Sequence, residues 1–136
     1  MFAGCPITRG SRLQIEIALS TTESEYIALS SAMREVIPFM GLMQEISQTF
    51  GLINRKPVFK CTVWKDNDSC ITVAKSPKFT PRTKHIAIKY HHFRSYVSDG
   101  SIAINPIDTS EQIADMLTKP LKEKSFCYLR KNLRGR

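Results

Sequence analysis

From Ser69 to Ser98 the chain has neither aspartate nor glutamate. Long apolar runs are missing as well, and the opening MFAGCPITRG contains no basic segment leading into an apolar core. A membrane-spanning helix and a signal peptide are therefore not expected. Cysteine is sparse: Cys5, Cys61, Cys70 and Cys127 show no paired short spacing, and His85, His91 and His92 lie far from them. That spacing argues against a zinc cluster and for free thiols in a reducing, cytoplasmic compartment. Repeats and low-complexity segments are absent too, which leaves one ordinary domain as the expectation for 136 residues.

What is present is strongly basic, with a net charge of +8. Six of the cations fall inside or beside the acid-free window: Lys75, Lys78, Arg82, Lys84, Lys89 and Arg94. A second basic stretch closes the chain with Lys119, Lys122, Lys124, Arg130, Lys131, Arg134 and Arg136 against the single acid Glu123. A surface of one sign favours a polyanion, because neutralising phosphates releases their counterions. A solvated face with a basic tail is the plainer reading. Phe79, Tyr90, Phe93 and Tyr96 interleave with the first stretch and suit either stacking on bases or packing in a core.

The pattern of apolar residues supplies the elements. Residues 11–19, SRLQIEIAL, alternate with Leu13, Ile15, Ile17 and Leu19 on one side, which predicts a half-buried strand. Residues 1–9 read as the tail of an earlier strand and a turn. A helix follows from about Thr22, with Tyr26, Leu29, Met33, Val36, Met40 and Met43 at helical spacing and a kink or break at Pro38. Gly51 and Asn54 end that pattern. VFKCTVW at 58–64 predicts a strand running into Asp66, Asn67 and Asp68, good caps for a helix over 68–75. Pro77 and Pro81 bound a loop, residues 83–98 a helix, 101–107 a strand, 109–120 a helix, and 122–133 a final basic helix. Strands alternating with helices argue for an α/β sheet.

Three acids stand in three distinct settings: Glu25 in STTESEYIALS, Asp66 in VWKDNDS and Asp115 in EQIADMLTKP. Hard oxygen donors without His or Cys suit magnesium or manganese. Asp66 lies just past a strand's carboxyl end, where open α/β sheets place working residues. Each acid also has a plain explanation. Thr22 and Glu25 match a capping box, Asp66 is a possible helix cap, and Asp115 is a possible solvent-facing residue.

Taken together and in order, ALSTTESEYIALSSA, DNDSCITVAK, FTPRTKHIAIKYHHFR and IDTSEQIADMLTKPL closely resemble the ribonuclease H domain of copia-type retrotransposon Pol polyproteins. The RTKHI stretch at 82–86 and ADMLTKP at 114–120 are the most specific pieces. The resemblance implies an α/β fold with a ribonuclease H-like mixed sheet flanked by helices, over residues 1–121, followed by a basic helix and tail over 122–136. It selects Glu25 over Glu23 and makes Glu25, Asp66 and Asp115 catalytic and metal-holding, with two magnesium (or manganese) ions cutting the RNA strand of an RNA/DNA hybrid during reverse transcription. The basic window would contact the hybrid's backbone, read by shape more than by sequence. The reverse transcriptase domain of the parent polyprotein would be a partner, in the cytoplasm and within virus-like particles, with no membrane involved.

The chain departs from that pattern in ways that bear on activity. The family's first two strands have no counterpart here, and with them the first-strand Asp that bridges both ions. Its loss implies an isolated chain that is weak or inactive. Pro38 is a further departure, and with no His between Asp108 and Gln112 the three histidines receive no catalytic role. The alternative is a non-catalytic nucleic-acid-binding remnant of the element.

Overall fold

The computed structural model describes residues 6–8, 10–51, 59–76, 86 and 88–133. They divide into two compact units, Glu16–Pro106 on one hand and Met1–Ile15 with Ile107–Arg136 on the other. The first unit begins with helix α1, Thr21–Thr49, whose start is closed reciprocally. Ser20 Oγ accepts from the Glu23 amide at 3.2 Å, and Glu23 Oε2 accepts from the Leu19 amide at 2.8 Å. This is a capping box shifted two residues ahead of the one expected, so Glu23 and not Glu25 closes the helix.

Of the kink or break expected at Pro38, the break does not occur, since α1 runs unbroken to Thr49. Pro38 and Arg34 both lie on the exposed side of the helix, where solvent is available to the carbonyl that the missing proline N–H leaves free. The opposite side buries Tyr26, Ile27, Leu29, Ser30 and Met33, the stripe that helical spacing predicts. Gly51, with φ of 59°, takes the left-handed conformation just past the helix end.

Strand β1, Cys61–Lys65, leads into helix α2, Asp68–Lys75, capped by Asn67, whose side chain accepts from the Cys70 amide at 2.9 Å. A single 3-10 turn, Ile88–Tyr90, and the short helix α3, Arg94–Ser98, stand where one helix over 83–98 was predicted. Tyr90, His91 and Phe93 are all buried. Residues 1–5, the expected loop from Pro77 to Pro81, and the RTKHI stretch except Ile86 lie outside the described residues.

Strand β2, Ile102–Pro106, pairs with β1 in parallel, Cys61 opposite Ile102 and Lys65 opposite Pro106. Among the described residues the sheet has these two strands, and the unit is mixed α/β. A parallel pair needs a crossover to bring the chain back, which α2 and α3 supply. Tyr26, Met33, Cys70, Ala74, Phe93, Ile102 and Ile104 form the centre of the core beneath the sheet's helical face.

The strand predicted over 11–19 is not formed. Its alternation is genuine, yet Leu13, Ile15, Ile17 and Leu19 are 94%, 96%, 92% and 75% exposed. An amphipathic strand persists only when a neighbour takes its hydrogen bonds and a surface covers its apolar side. In the second unit the helix predicted over 109–120 is instead two 3-10 segments, Thr109–Glu111 and Ile113–Leu117. The Asp108 carboxylate accepts from the Ser110 amide at 2.8 Å and starts the first; Gln112 separates them in extended conformation. Helix α4, Glu123–Leu133, packs against the second segment, burying Leu129. No helix among the described residues is long and apolar enough to cross a membrane.

Candidate functional site

The structure removes the plain explanation from each of the three acids. Glu25 is free of capping duty because Ser20 and Glu23 perform it. Asp66 is not the cap of α2, since Asn67 is. Asp115 is buried, 8% exposed, and its carboxylate accepts from Lys119 Nζ at 2.9 Å one turn later. A solvent-facing role for it is excluded.

Glu25 and Asp66 belong to the same unit and share a neighbourhood. Glu25, on the first turns of α1, forms an ion pair with Lys65, the last residue of β1 and the covalent neighbour of Asp66. The Lys65 side chain is 14% exposed and that of Glu25 38%. Beside them lies the Cys70 thiol, fully buried on α2. Burial pushes that thiol up to about 11, while the Lys65 charge lowers it and the Glu25 and Asp66 charges raise it. Glu25 is thus brought by its ion pair to the carboxyl end of β1, where Asp66 follows Lys65 in the chain. A thiol held protonated in this way is a packing group and no nucleophile. Asp115 belongs to the other unit, where Lys119 neutralises it.

As a metal site this arrangement falls short. Among the described residues no three His, Cys, Asp or Glu side chains are gathered so as to hold a metal ion. The donors that do come together are hard oxygens of the right kind. Their charge, however, is already partly met by an ammonium, and two carboxylates with a resident cation do not fit the two-ion centre implied by the sequence.

The basic window is divided in its use. Lys78, Arg82 and Lys84 lie outside the described residues, as does Phe79. Lys89 pairs with Glu16 and stands 5.0 Å from the centre of the Tyr90 ring. Its charge is thus answered within the unit. Lys75, at the end of α2, and Arg94, at the start of α3, line one cavity of about 600 Å³. Ser76, Ser95, Ser98 and Asn105 add polar groups to its wall, and Val97, Ile102 and Ile104 add apolar ones. Tyr90 and Phe93 are core residues, which settles their reading as packing, whereas Tyr96 is 37% exposed.

Over 125 residues, 92% of the chain, the sequence is 39% identical to the retrovirus-related Pol polyprotein from transposon TNT 1-94 of Nicotiana tabacum. It is 34% identical over 121 residues, 89% of the chain, to the corresponding polyprotein from transposon RE1 of Arabidopsis thaliana. The chain is a homologue of transposon Pol polyproteins. It spans only 9% and 8% of the length of these two relatives. A transposon Ty1-DR1 Gag-Pol polyprotein of Saccharomyces cerevisiae is 35% identical over 80 residues, 57% of the chain and 4% of that polyprotein. No protein-family model and no solved structure matches the chain.

Two features of this Pol homologue's site escaped the sequence reading. Lys65 was overlooked, although its place in the alternation Cys61, Val63, Lys65 puts it on the covered side of β1, where an ammonium demands an acid. The second is the pairing of Tyr26 with His91 at 2.7 Å, joining residues 65 apart in the chain. No local pattern announces such a contact. His91 is buried, and Tyr26 is its partner in the core.

Proposed function

We propose that this chain is a ribonuclease H-like domain of copia-type Pol descent that grips the backbone of an RNA/DNA hybrid, and that as an isolated chain it binds more readily than it cuts. The observation that carries this reading is the convergence of Lys75 and Arg94 on one cavity walled with hydroxyls. Two cations from different elements, with small polar donors between them, suit a phosphodiester backbone carrying regularly spaced charge. Homology to transposon Pol polyproteins supports a nucleic-acid substrate class.

The carboxylates enter as the residue of a hydrolytic centre. Bound magnesium would supply a hydroxide nucleophile and stabilise the leaving oxygen. Glu25, Asp66 and Asp115 are the proposed ligands; the ion pair of Glu25 with Lys65, the residue before Asp66, supports the first two. Since the donors gathered among the described residues do not make that centre, efficient cleavage is not part of the reading. The parent polyprotein's reverse transcriptase domain is the proposed partner that delivers the hybrid.

A labelled RNA/DNA hybrid titrated with protein between about 50 and 200 mM salt should show affinity falling steeply, each neutralised phosphate adding roughly 0.7–0.9 to the logarithmic slope. Lys75→Gln with Arg94→Gln should flatten that slope by about 1–2. A slope that is flat, or unaltered by the double variant, refutes the proposed contact. With magnesium present, the wild-type chain and Asp66→Asn should leave the same small background of cleaved RNA. Strong cleavage lost in Asp66→Asn would show instead that the isolated chain is a working nuclease.

A further inference from the structure

The alternation of β1 turns Cys61, Val63 and Lys65 toward the helices and Thr62 and Trp64 away from them. A lysine at the end of that inward row keeps its ammonium out of most of the solvent, and burying an unpaired charge is costly. Its partner comes from α1, 40 residues earlier, as the Glu25 carboxylate. Asp66, next in the chain, adds a second negative charge, and the same three groups act on the buried Cys70 thiol. Two carboxylates near each other repel unless a cation stands with them. In this structure that cation is part of the chain.

We infer that Lys65 is the built-in counter-cation of the Glu25 carboxylate, occupying the place there that a divalent ion would need, so that metal binding here is a competition with the lysine. This rests on the reading of Glu25 and Asp66 as ligands proposed above. It gives Lys65 a specificity-determining role: it meets the charge of Glu25 without metal and weakens that carboxylate's hold on one. With Lys65 in place Glu25 offers an incoming ion no uncompensated charge, and without it one. It also accounts for a site whose donors are of the right type but whose charge is already met.

The test is manganese binding, followed by proton relaxation enhancement without nucleic acid. Lys65→Met should bind Mn²⁺ at least about tenfold more tightly than the wild-type chain. Adding Glu25→Gln to Lys65→Met should abolish the gain. Unaltered affinity in a folded Lys65→Met chain overturns the inference, as does a gain that survives Glu25→Gln. A second measurement needs no variant: amine acetylation of the wild-type chain, read residue by residue by mass spectrometry. Saturating Mn²⁺ should speed modification of Lys65 several-fold and leave the exposed Lys60 unaffected; an unaltered Lys65 rate overturns the competition. Because neither readout contains a hybrid, a failure of hybrid binding in the salt titration would leave both results interpretable.

Discussion

Tyr26 and His91 give the sharpest test of the fold. Tyr26 is 0% exposed, its hydroxyl lies 2.7 Å from His91 Nδ1, and the two rings are 5.3 Å apart at a tilt of 52°. Burial holds the phenol protonated, pushed up to about 12. Burial, then the positive charge of Arg94, lowers the imidazole below its ordinary value. The hydrogen bond thus joins a neutral phenol and a neutral imidazole, its direction set by the imidazole tautomer. Tyr26→Phe keeps the ring and its contact with Phe93, removes the hydroxyl, and leaves Nδ1 without its partner. The lost bond is worth about 1 kcal/mol net and the stranded ring nitrogen about 1 more, so roughly 2 kcal/mol of stability should go. Replacing both partners by apolar groups strands nothing, so Tyr26→Phe with His91→Phe should cost less than the sum of the single changes. Urea unfolding followed by circular dichroism at pH 7.5 measures all four corners of that cycle. A coupling energy under about 0.5 kcal/mol would mean independent sites and would refute the argument.

The same pair predicts a pH dependence. Because folding lowers the His91 pKa, its contribution to stability is complete above the unfolded value near 6.5 and is lost as pH falls through the window below it. The unfolding free energy should fall below pH 6.5 by at most about 1.4 kcal/mol per unit from this group, and His91→Phe should remove that part of the slope. Ser20→Ala should cost about 1 kcal/mol in urea unfolding by opening the start of α1, while Thr22→Ala, outside the observed box, should cost under about 0.5. Ile15→Ser and Ile17→Ser, at sites more than nine-tenths exposed, should each leave stability within about 0.5 kcal/mol despite removing large apolar groups. A loss of 2 kcal/mol at either would show that the segment is covered in solution.

Local signals carried much of the fold. The β-branched run ending in Trp64, the Asn67 cap and the apolar spacing of Tyr26, Leu29 and Met33 placed β1, α2 and the buried stripe of α1 within a few residues. Those features act over one turn or one strand, so the sequence displays them directly. Failures came where a pattern needed something distant. Residues 11–19 have a strand's alternation but, among the described residues, no ladder to join. Residues 83–98 have a helix's composition, yet those described form a 3-10 turn and a short helix. The pattern Ser or Thr, then Glu three residues on, occurs twice, at Ser20–Glu23 and Thr22–Glu25, and only the geometry shows which one caps.

For the candidate site the division is similar. By itself the sequence determined the acid-free basic window, the residue types of the carboxylates, and the likeness to transposon Pol polyproteins, all properties of composition and order. Only the tertiary structure decided which charges meet. Glu25 is joined to Lys65, Asp115 to its neighbour Lys119, and Lys75 shares a cavity with Arg94. Chain spacing sets what a helix or strand does locally, but a charge selects its partner by distance in space, and in this unit that distance is set by how α1 packs against α2 and the 3-10 turn at Ile88–Tyr90.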